Sequence, residues 1–282
     1  MNVLGGTISL IAREKAGILK AIAPAFCVPQ LPDAVEVLQA QAAAVGTTLA
    51  TCEAREADAV SLPFWLSPSH QQHNAAMALA MLESLAAHGH LPPEHAAWVA
   101  ARDSTCWPAR FEVLTPTPLL EAQRLVLDVG HNEPAVEALL RSVGAAFPGQ
   151  PLVVVFGANF DKDVRKIVAL VGATPTLCGA VAVQSSHPKA VPTSQILAEV
   201  ASVAQDQTPA TPTVWGEALS MLAALGQAGS LLAAAGGAGT VLCCGSVFVV
   251  ADMRAALAAQ QPKLFRKDDW AFDEAGEPPL LM

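Results

Sequence analysis

Apolar residues fall along this chain in two rhythms. Over residues 8–20, 33–45 and 71–88 they recur at three- and four-residue intervals, as in Val37, Leu38, Ala42 and Val45 or Ala75, Leu79, Leu82 and Leu85, and this spacing predicts helices. The first is expected to end near Ala16, with Gly17 at its close, and Ser67 and Pro68 suit the N-cap and first turn of the third. Residues 25–28 are a short strand candidate, and 57–66 has no regular pattern. From Trp107 onward the rhythm changes. Unbroken apolar runs at 125–127, 152–156 and 177–183 alternate with helical spacing at 135–146, 164–171 and 194–204. A short strand at 214–215, a helix at 218–225 and a strand-rich piece at 240–250 follow. Fully apolar strands alternating with helices predict an α/β fold with a parallel sheet covered on both faces. The change of rhythm puts a boundary at 104–110, dividing the chain into 1–106 and 107–282, and the charged, proline-bearing tail at 260–282 is expected to be loosely held.

Composition narrows the picture. A chain of 282 residues has room for about two domains, and 52% hydrophobic against 15% charged residues is enough to bury a core, which excludes general disorder. Sixteen basic against twenty-five acidic residues give a net charge of −9, so no nucleic-acid partner is expected, although small phosphate pockets stay open. The mean hydropathy of +0.40 raises the membrane question. The most apolar stretch, 218–251, is preceded by Glu217 and broken by Gln227, a run of Gly and Ala, and Ser246, so no membrane span is expected, and residues 1–10 do not read as a secretory signal. The cysteines at 27, 52, 106, 178, 243 and 244 form no CxxC motif and are expected to be reduced core thiols. Cys243 and Cys244, adjacent in an apolar strand, are expected to face opposite sides of the sheet. His70 and His73 stand three apart without a third ligand at metal-site spacing.

In open parallel sheets ligands gather beyond the carboxyl ends of the strands. Polar residues concentrate there. Asp128, His131 and Asn132 follow the 125–127 strand; Gly157, Asn159, Asp161, Lys162 and Asp163 follow 152–156; Ser185, His187 and Lys189 follow 177–183; Gly245 and Ser246 follow the last strand. Four such clusters on one edge predict an active site.

The order of motifs resembles the folylpolyglutamate synthase and dihydrofolate synthase family of the Mur ligase superfamily. The residues that carry the resemblance are Ile11-Ala12-Arg13-Glu14-Lys15-Ala16-Gly17-Ile18-Leu19-Lys20; His70, Gln71 and Asn74; Trp107, Pro108 and Arg110; Leu127-Asp128-Val129-Gly130-His131-Asn132; Phe156, Gly157 and Asp161-Lys162-Asp163; and Gly245-Ser246. The fold implied is the C-terminal part of a Mur-ligase ATP-binding domain followed by a Rossmann-like α/β C-terminal domain that binds glutamate. The activity implied is ATP-dependent addition of glutamate to a folate: ATP phosphorylates a carboxylate, and the amine of L-glutamate attacks the acyl phosphate. The resemblance implies ATP and Mg²⁺ as cofactors, folate and L-glutamate as partners, a monomer, and a cytoplasmic location with mitochondrial and plastid forms left open. It places Lys15, as a carbamate, at the metal and in catalysis. It places Asn74, Arg110 and Asp128 at ATP, and His131 in catalysis, facing phosphate or incoming glutamate. Lys162, Asp163, His187 and Ser246 are placed at the glutamate pocket.

Four departures stand out. Ala109 occupies the place of a family Gly, Gly130 that of an Ala, and Glu133 intervenes before Pro134. The family's GTNGKGS-type phosphate loop has no counterpart, because none of the seven lysines follows a glycine. The resemblance begins at residues 2–5, so the chain is expected to correspond to the later two-thirds of a family member, with tight MgATP binding not expected from these residues alone. The alternative reading is a truncated, catalytically inactive relative that binds a ligand or a partner ligase.

Overall fold

A computed structural model describes residues 6–54, 66, 68–105, 107–116, 120, 123–206 and 214–265. The expectations for residues 2–5, 57–65, Ser67 and 266–282 lie outside this set. The chain divides into two compact units, Met1–Thr105 and Cys106–Met282.

In the first unit, α1 (Ile8–Ala16) starts at Thr7, whose hydroxyl accepts from the amide of Leu10 at 3.3 Å. Its last turn carries Arg13 and Lys15, the favourable sign for a helix C-terminus. Helix α2 (Pro32–Val45) opens on proline and closes on Gly46, whose φ of +74° supplies the left-handed cap. Strands β1 (Ala25–Cys27) and β2 (Leu49–Thr51) pair in parallel, Ala25 opposite Leu49. Ala16, Leu19 and Ala42 form the small core between these elements. Helix α3 (Ser69–Ala87) is capped one residue later than expected: Pro68 keeps an extended ψ of 131° and occupies the N-cap rather than the first turn. Helix α4 (His95–Ser104) has no buried residue, and β2 only one half-buried position, so neither shows a core face in the sequence.

The second unit is built on a six-stranded sheet of order β3-β4-β8-β5-β6-β7. These strands are β3 (Glu112–Leu114), β4 (Arg124–Leu127), β5 (Leu152–Phe156), β6 (Leu177–Ala182), β7 (Trp215–Glu217) and β8 (Thr240–Cys244). All neighbours pair in parallel except β3, which lies antiparallel to β4 on the edge. Both faces are buried. Helices α5 (Glu133–Ala146), α6 (Val164–Gly172) and α7 (Thr193–Asp206) contribute Val136, Leu139, Ile167, Val171 and Ile196 to one core. Helices α8 (Met221–Ala234) and α9 (Val247–Gln260) contribute Leu225, Leu232, Val250, Met253 and Leu257 to the other. Cys243 joins the second core and Cys244 the first, as strand alternation requires.

Two expectations are corrected. The strand-rich piece at 240–250 is a strand only to Cys244; Gly245 then turns at φ +103° and Ser246 caps α9. An unbroken apolar run does not separate a buried strand from a buried helix by rhythm alone. The helix expected at 218–225 starts at Met221 and continues to Ala234, across Gly226 and Gly229. Its buried positions 221, 224, 225, 228 and 232 keep one apolar stripe through both glycines.

Candidate functional site

Strand β8 sits between β4 and β5, and its following helix lies on the opposite face from the helices that follow those two. The chain therefore diverges above and below the sheet on both sides of β8. Such a reversal opens a crevice at the carboxyl edge of an α/β sheet. Strands β4, β8, β5 and β6 are neighbours, so the four polar clusters line one edge about 14 Å long, three interstrand spacings.

Two glycines bring the loops of this edge together. A Cβ on Gly245 would stand 2.3 Å from the carbonyl of Gly157, and one on Gly157 would stand 2.5 Å from the carbonyl of Val183. The amide of Gly245 donates to the carbonyl of Gly130 at 2.8 Å. Ser246 is buried, accepts from the amide of Phe248 at 3.2 Å as the α9 cap, and donates to Oδ1 of Asn159 at 3.3 Å.

The two histidines hold opposite tautomers. His131 Nδ1 donates to the carbonyl of Val129 at 2.9 Å, which leaves Nε2 as the lone-pair nitrogen of the neutral ring. His187 Nδ1 accepts from the amide of Lys189 at 3.1 Å, so its neutral ring carries the proton on Nε2. The His187 ring stacks on Phe248 with centroids 3.7 Å apart. Its loop is held from α9 by Asp252, which accepts from the amide of Ser186 at 2.7 Å and from its hydroxyl at 2.9 Å.

Asp128 is buried, and its two carboxylate oxygens accept from Phe111 N and Gly130 N at 2.9 and 2.8 Å. It thereby brackets the turn bearing Arg110 and the loop bearing His131. Arg110 is exposed between Ala109 and Phe111, both buried and both at positive φ, 59° and 48°. Lys162 pairs with Asp161 at 2.7 Å, and the hydrogen bond from its ammonium holds the Asp161 carboxyl below its ordinary value. Asp163 caps α6, accepting from the amide of Lys166 at 3.2 Å.

Seven of the nine residues singled out in the sequence thus belong to the second unit: Arg110, Asp128, His131, Lys162, Asp163, His187 and Ser246. Lys15 and Asn74 belong to the first, Lys15 exposed in the last turn of α1 and Asn74 exposed on α3, donating to Gln71 Oε1 at 3.1 Å. Glu112, Ser186, Phe248, Asp252 and Arg254 escaped the sequence reading. One signal was available: Asp252 and Arg254 are the two charges of an otherwise apolar helix. Among the described residues no group of three or more His, Cys, Asp or Glu stands close enough to hold a metal ion. The donor set therefore does not by itself fit a magnesium site. Among the described residues, no helix is long and apolar enough to cross a membrane.

Comparison with known proteins fits this geometry. Residues 109–247 match the model of the Mur ligase glutamate ligase domain, which places the second unit in the Mur ligase class. The folylpolyglutamate synthase of Lacticaseibacillus casei is 29% identical over 184 residues, 57% of this chain and 41% of that protein. The dihydrofolate synthase/folylpolyglutamate synthase of Bacillus subtilis (strain 168) is 27% identical over 188 residues, 60% of this chain and 43% of that protein. The matched stretch thus spans less than half the length of these relatives. Among solved structures, Mycobacterium tuberculosis folylpolyglutamate synthase complexed with ADP and AMPPCP superposes with a TM-score of 0.71 at 24% identity, over 91% of this chain and 61% of that one. E. coli FolC in complex with DHPP and ADP gives 0.68 at 24%, over 92% and 59%. The second unit thus matches the Mur ligase glutamate ligase domain, and the chain is similar to folylpolyglutamate synthases and dihydrofolate synthases.

Proposed function

We propose that this chain contributes the glutamate-handling half of an ATP-dependent ligase that adds L-glutamate to a folate through an acyl phosphate. The observation that supports it most is the convergence of His131, Lys162, His187 and Ser246 on one sheet edge within the glutamate ligase domain match. The two tautomers suit complementary tasks. His131 Nε2 offers a lone pair to the ammonium of incoming glutamate, which must lose a proton before it attacks an acyl phosphate. His187 Nε2–H offers a donor to a carboxylate, and Lys162 supplies positive charge on the neighbouring strand loop.

Arg110 is assigned to the nucleotide phosphates, where a planar guanidinium meets developing negative charge. Asp128 acts through the backbone it holds. Asp163 and Ser246 shape the pocket as helix caps. Asn74 is assigned to the adenine and Lys15, as a carbamate, to the metal. Magnesium would enter with the phosphates of its nucleotide. A cytoplasmic monomer is the corresponding proposal for location and assembly.

The test is incubation of the chain with MgATP, a reduced folate and L-glutamate, read by mass spectrometry for a folate one glutamyl unit longer and by phosphate release. Calorimetry with L-glutamate and with MgADP accompanies it. Ligation that His131→Ala abolishes supports the reading. Failure to bind L-glutamate overturns it.

A further inference from the structure

The turn at residues 109–111 is held by an apparatus that phosphate contact by Arg110 does not itself require. Each of its three amides has a partner: Ala109 N donates to Glu112 Oε2 at 2.9 Å, Arg110 N to the carbonyl of Trp107 at 3.2 Å, and Phe111 N to Asp128 Oδ2 at 2.9 Å. The carbonyl of Ala109 accepts from Val129 N at 3.1 Å. The two residues flanking Arg110 both adopt left-handed backbone without being glycine, a conformation that costs about 1–2 kcal/mol per residue and persists only where surroundings impose it.

One of those surroundings is a buried ion pair. Arg254 is 0% exposed and donates through Nη1 to Glu112 Oε1, while its guanidinium lies 4.4 Å from the ring centroid of Phe265. Glu112 therefore divides its oxygens: Oε1 goes to Arg254 and Oε2 to the turn. A buried charge pair is a weak source of stability, since an apolar pair of similar volume serves as well or better. Its presence here is explained if the carboxylate is needed for its second oxygen and the arginine for neutralising it.

We propose that Glu112 is a positioning residue for Arg110: its Oε2 fixes the left-handed turn that presents the guanidinium, and Arg254 compensates the buried charge this requires. The proposal rests on the reading above in which Arg110 meets nucleotide phosphates. It extends that reading to two buried residues behind the turn.

Two double variants separate the acceptor from the charge. Glu112→Gln with Arg254→Met removes the charges and keeps an acceptor for Ala109 N. Glu112→Met with Arg254→Met removes both. Neither leaves a buried charge alone, so both are expected to fold, which thermal melts verify. Trypsin reads the turn without any ligand, because it cuts after Arg110 once the turn opens. The Met/Met variant is expected to be cut there about tenfold faster than the Gln/Met variant. Equal rates in two folded variants overturn the proposal.

MgADP titration reads the consequence. The Met/Met variant is expected to lose affinity to within about threefold of Arg110→Ala, with no further loss when the changes are combined, while Gln/Met restores binding. Additive losses, or unaltered binding by Met/Met, overturn the proposal. A wild-type chain that binds no MgADP overturns the nucleotide reading itself, and the proposal with it, whatever trypsin shows.

Discussion

The hydroxyl of Ser246 donates to Oδ1 of Asn159 across 3.3 Å, joining the loops that follow the neighbouring strands β8 and β5. The same hydroxyl accepts from the amide of Phe248 and caps α9. Ser246 therefore ties the two loops together and starts the helix that holds the His187 loop. Ser246→Ala removes a cap worth about 1 kcal/mol and leaves the Asn159 acceptor without this donor, so a loss of about 1–2 kcal/mol is expected. Urea denaturation checks it, and a loss below about 0.5 kcal/mol would show that the cap is dispensable.

Gly157 and Gly245 set how closely the loops approach. At Gly245 a side chain meets two obstacles at once, a φ of +103° and the carbonyl of Gly157 at 2.3 Å. At Gly157 the backbone is ordinary and the obstacles are steric, the carbonyl of Val183 at 2.5 Å and Val249 Cγ2 at 2.8 Å. Backbone carbonyls cannot turn aside as a flexible side chain can. Gly245→Ala and Gly157→Ala are each expected to cost about 3 kcal/mol or more, Gly245→Ala the larger amount. Soluble yield and melting temperature read this directly, and a near-neutral Gly245→Ala would refute the packing described.

The thiols of Cys243 and Cys244 make stability depend on alkaline pH. Burial pushes both well above the ordinary value of 9.0, with the charge of Asp252 adding at Cys243 and Cys243 and Asp128 adding at Cys244. In the unfolded chain these thiols ionise near pH 9, while in the folded chain they stay protonated, so the unfolded state is favoured as pH rises beyond 9. The stability they confer is complete below pH 9 and is lost above it, at about 1 kcal/mol per thiol per pH unit. Urea midpoints between pH 8 and 10.5 are expected to fall more steeply for the wild type than for Cys243→Ala with Cys244→Ala. The slopes are compared rather than the absolute values, because the alanines also leave cavities.

How much of this was legible in the sequence follows from where each residue finds its partners. The run Leu152–Phe156 is apolar at every position because both faces of a central parallel strand are covered, and it read as a strand with the same bounds. Strand β3 did not, because Glu112 interrupts its pattern. The burial of that carboxylate makes sense only beside Arg254, 142 residues further on, and no local rule carries that information. The edge clusters at 128–132, 157–163 and 185–189 were visible because loops after apolar strands are local features. The residues that hold the last of them, Phe248 and Asp252, lie on α9, whose first turn read as strand. Ser186 and Asp252 are joined across 66 residues, and only the fold brings them together.

Ala109 offers the clearest test of what holds the Arg110 turn. Its φ of +59° suits glycine, and its side chain is buried. Ala109→Gly relieves about 1–2 kcal/mol of left-handed strain and returns about 0.5–1 kcal/mol to the unfolded chain as added freedom, so a net gain of about 0.5–1 kcal/mol is expected. The effect on the turn has the opposite sign. Alanine restricts the backbone next to Arg110, whereas glycine leaves the tethers from Glu112 and Asp128 as its main restraints. A more stable protein whose Arg110–Phe111 bond is cut faster by trypsin is therefore the expected outcome. Chemical denaturation and limited proteolysis on the same sample measure both. A variant less stable than the wild type would show that the alanine side chain packs well enough to outweigh its strained backbone.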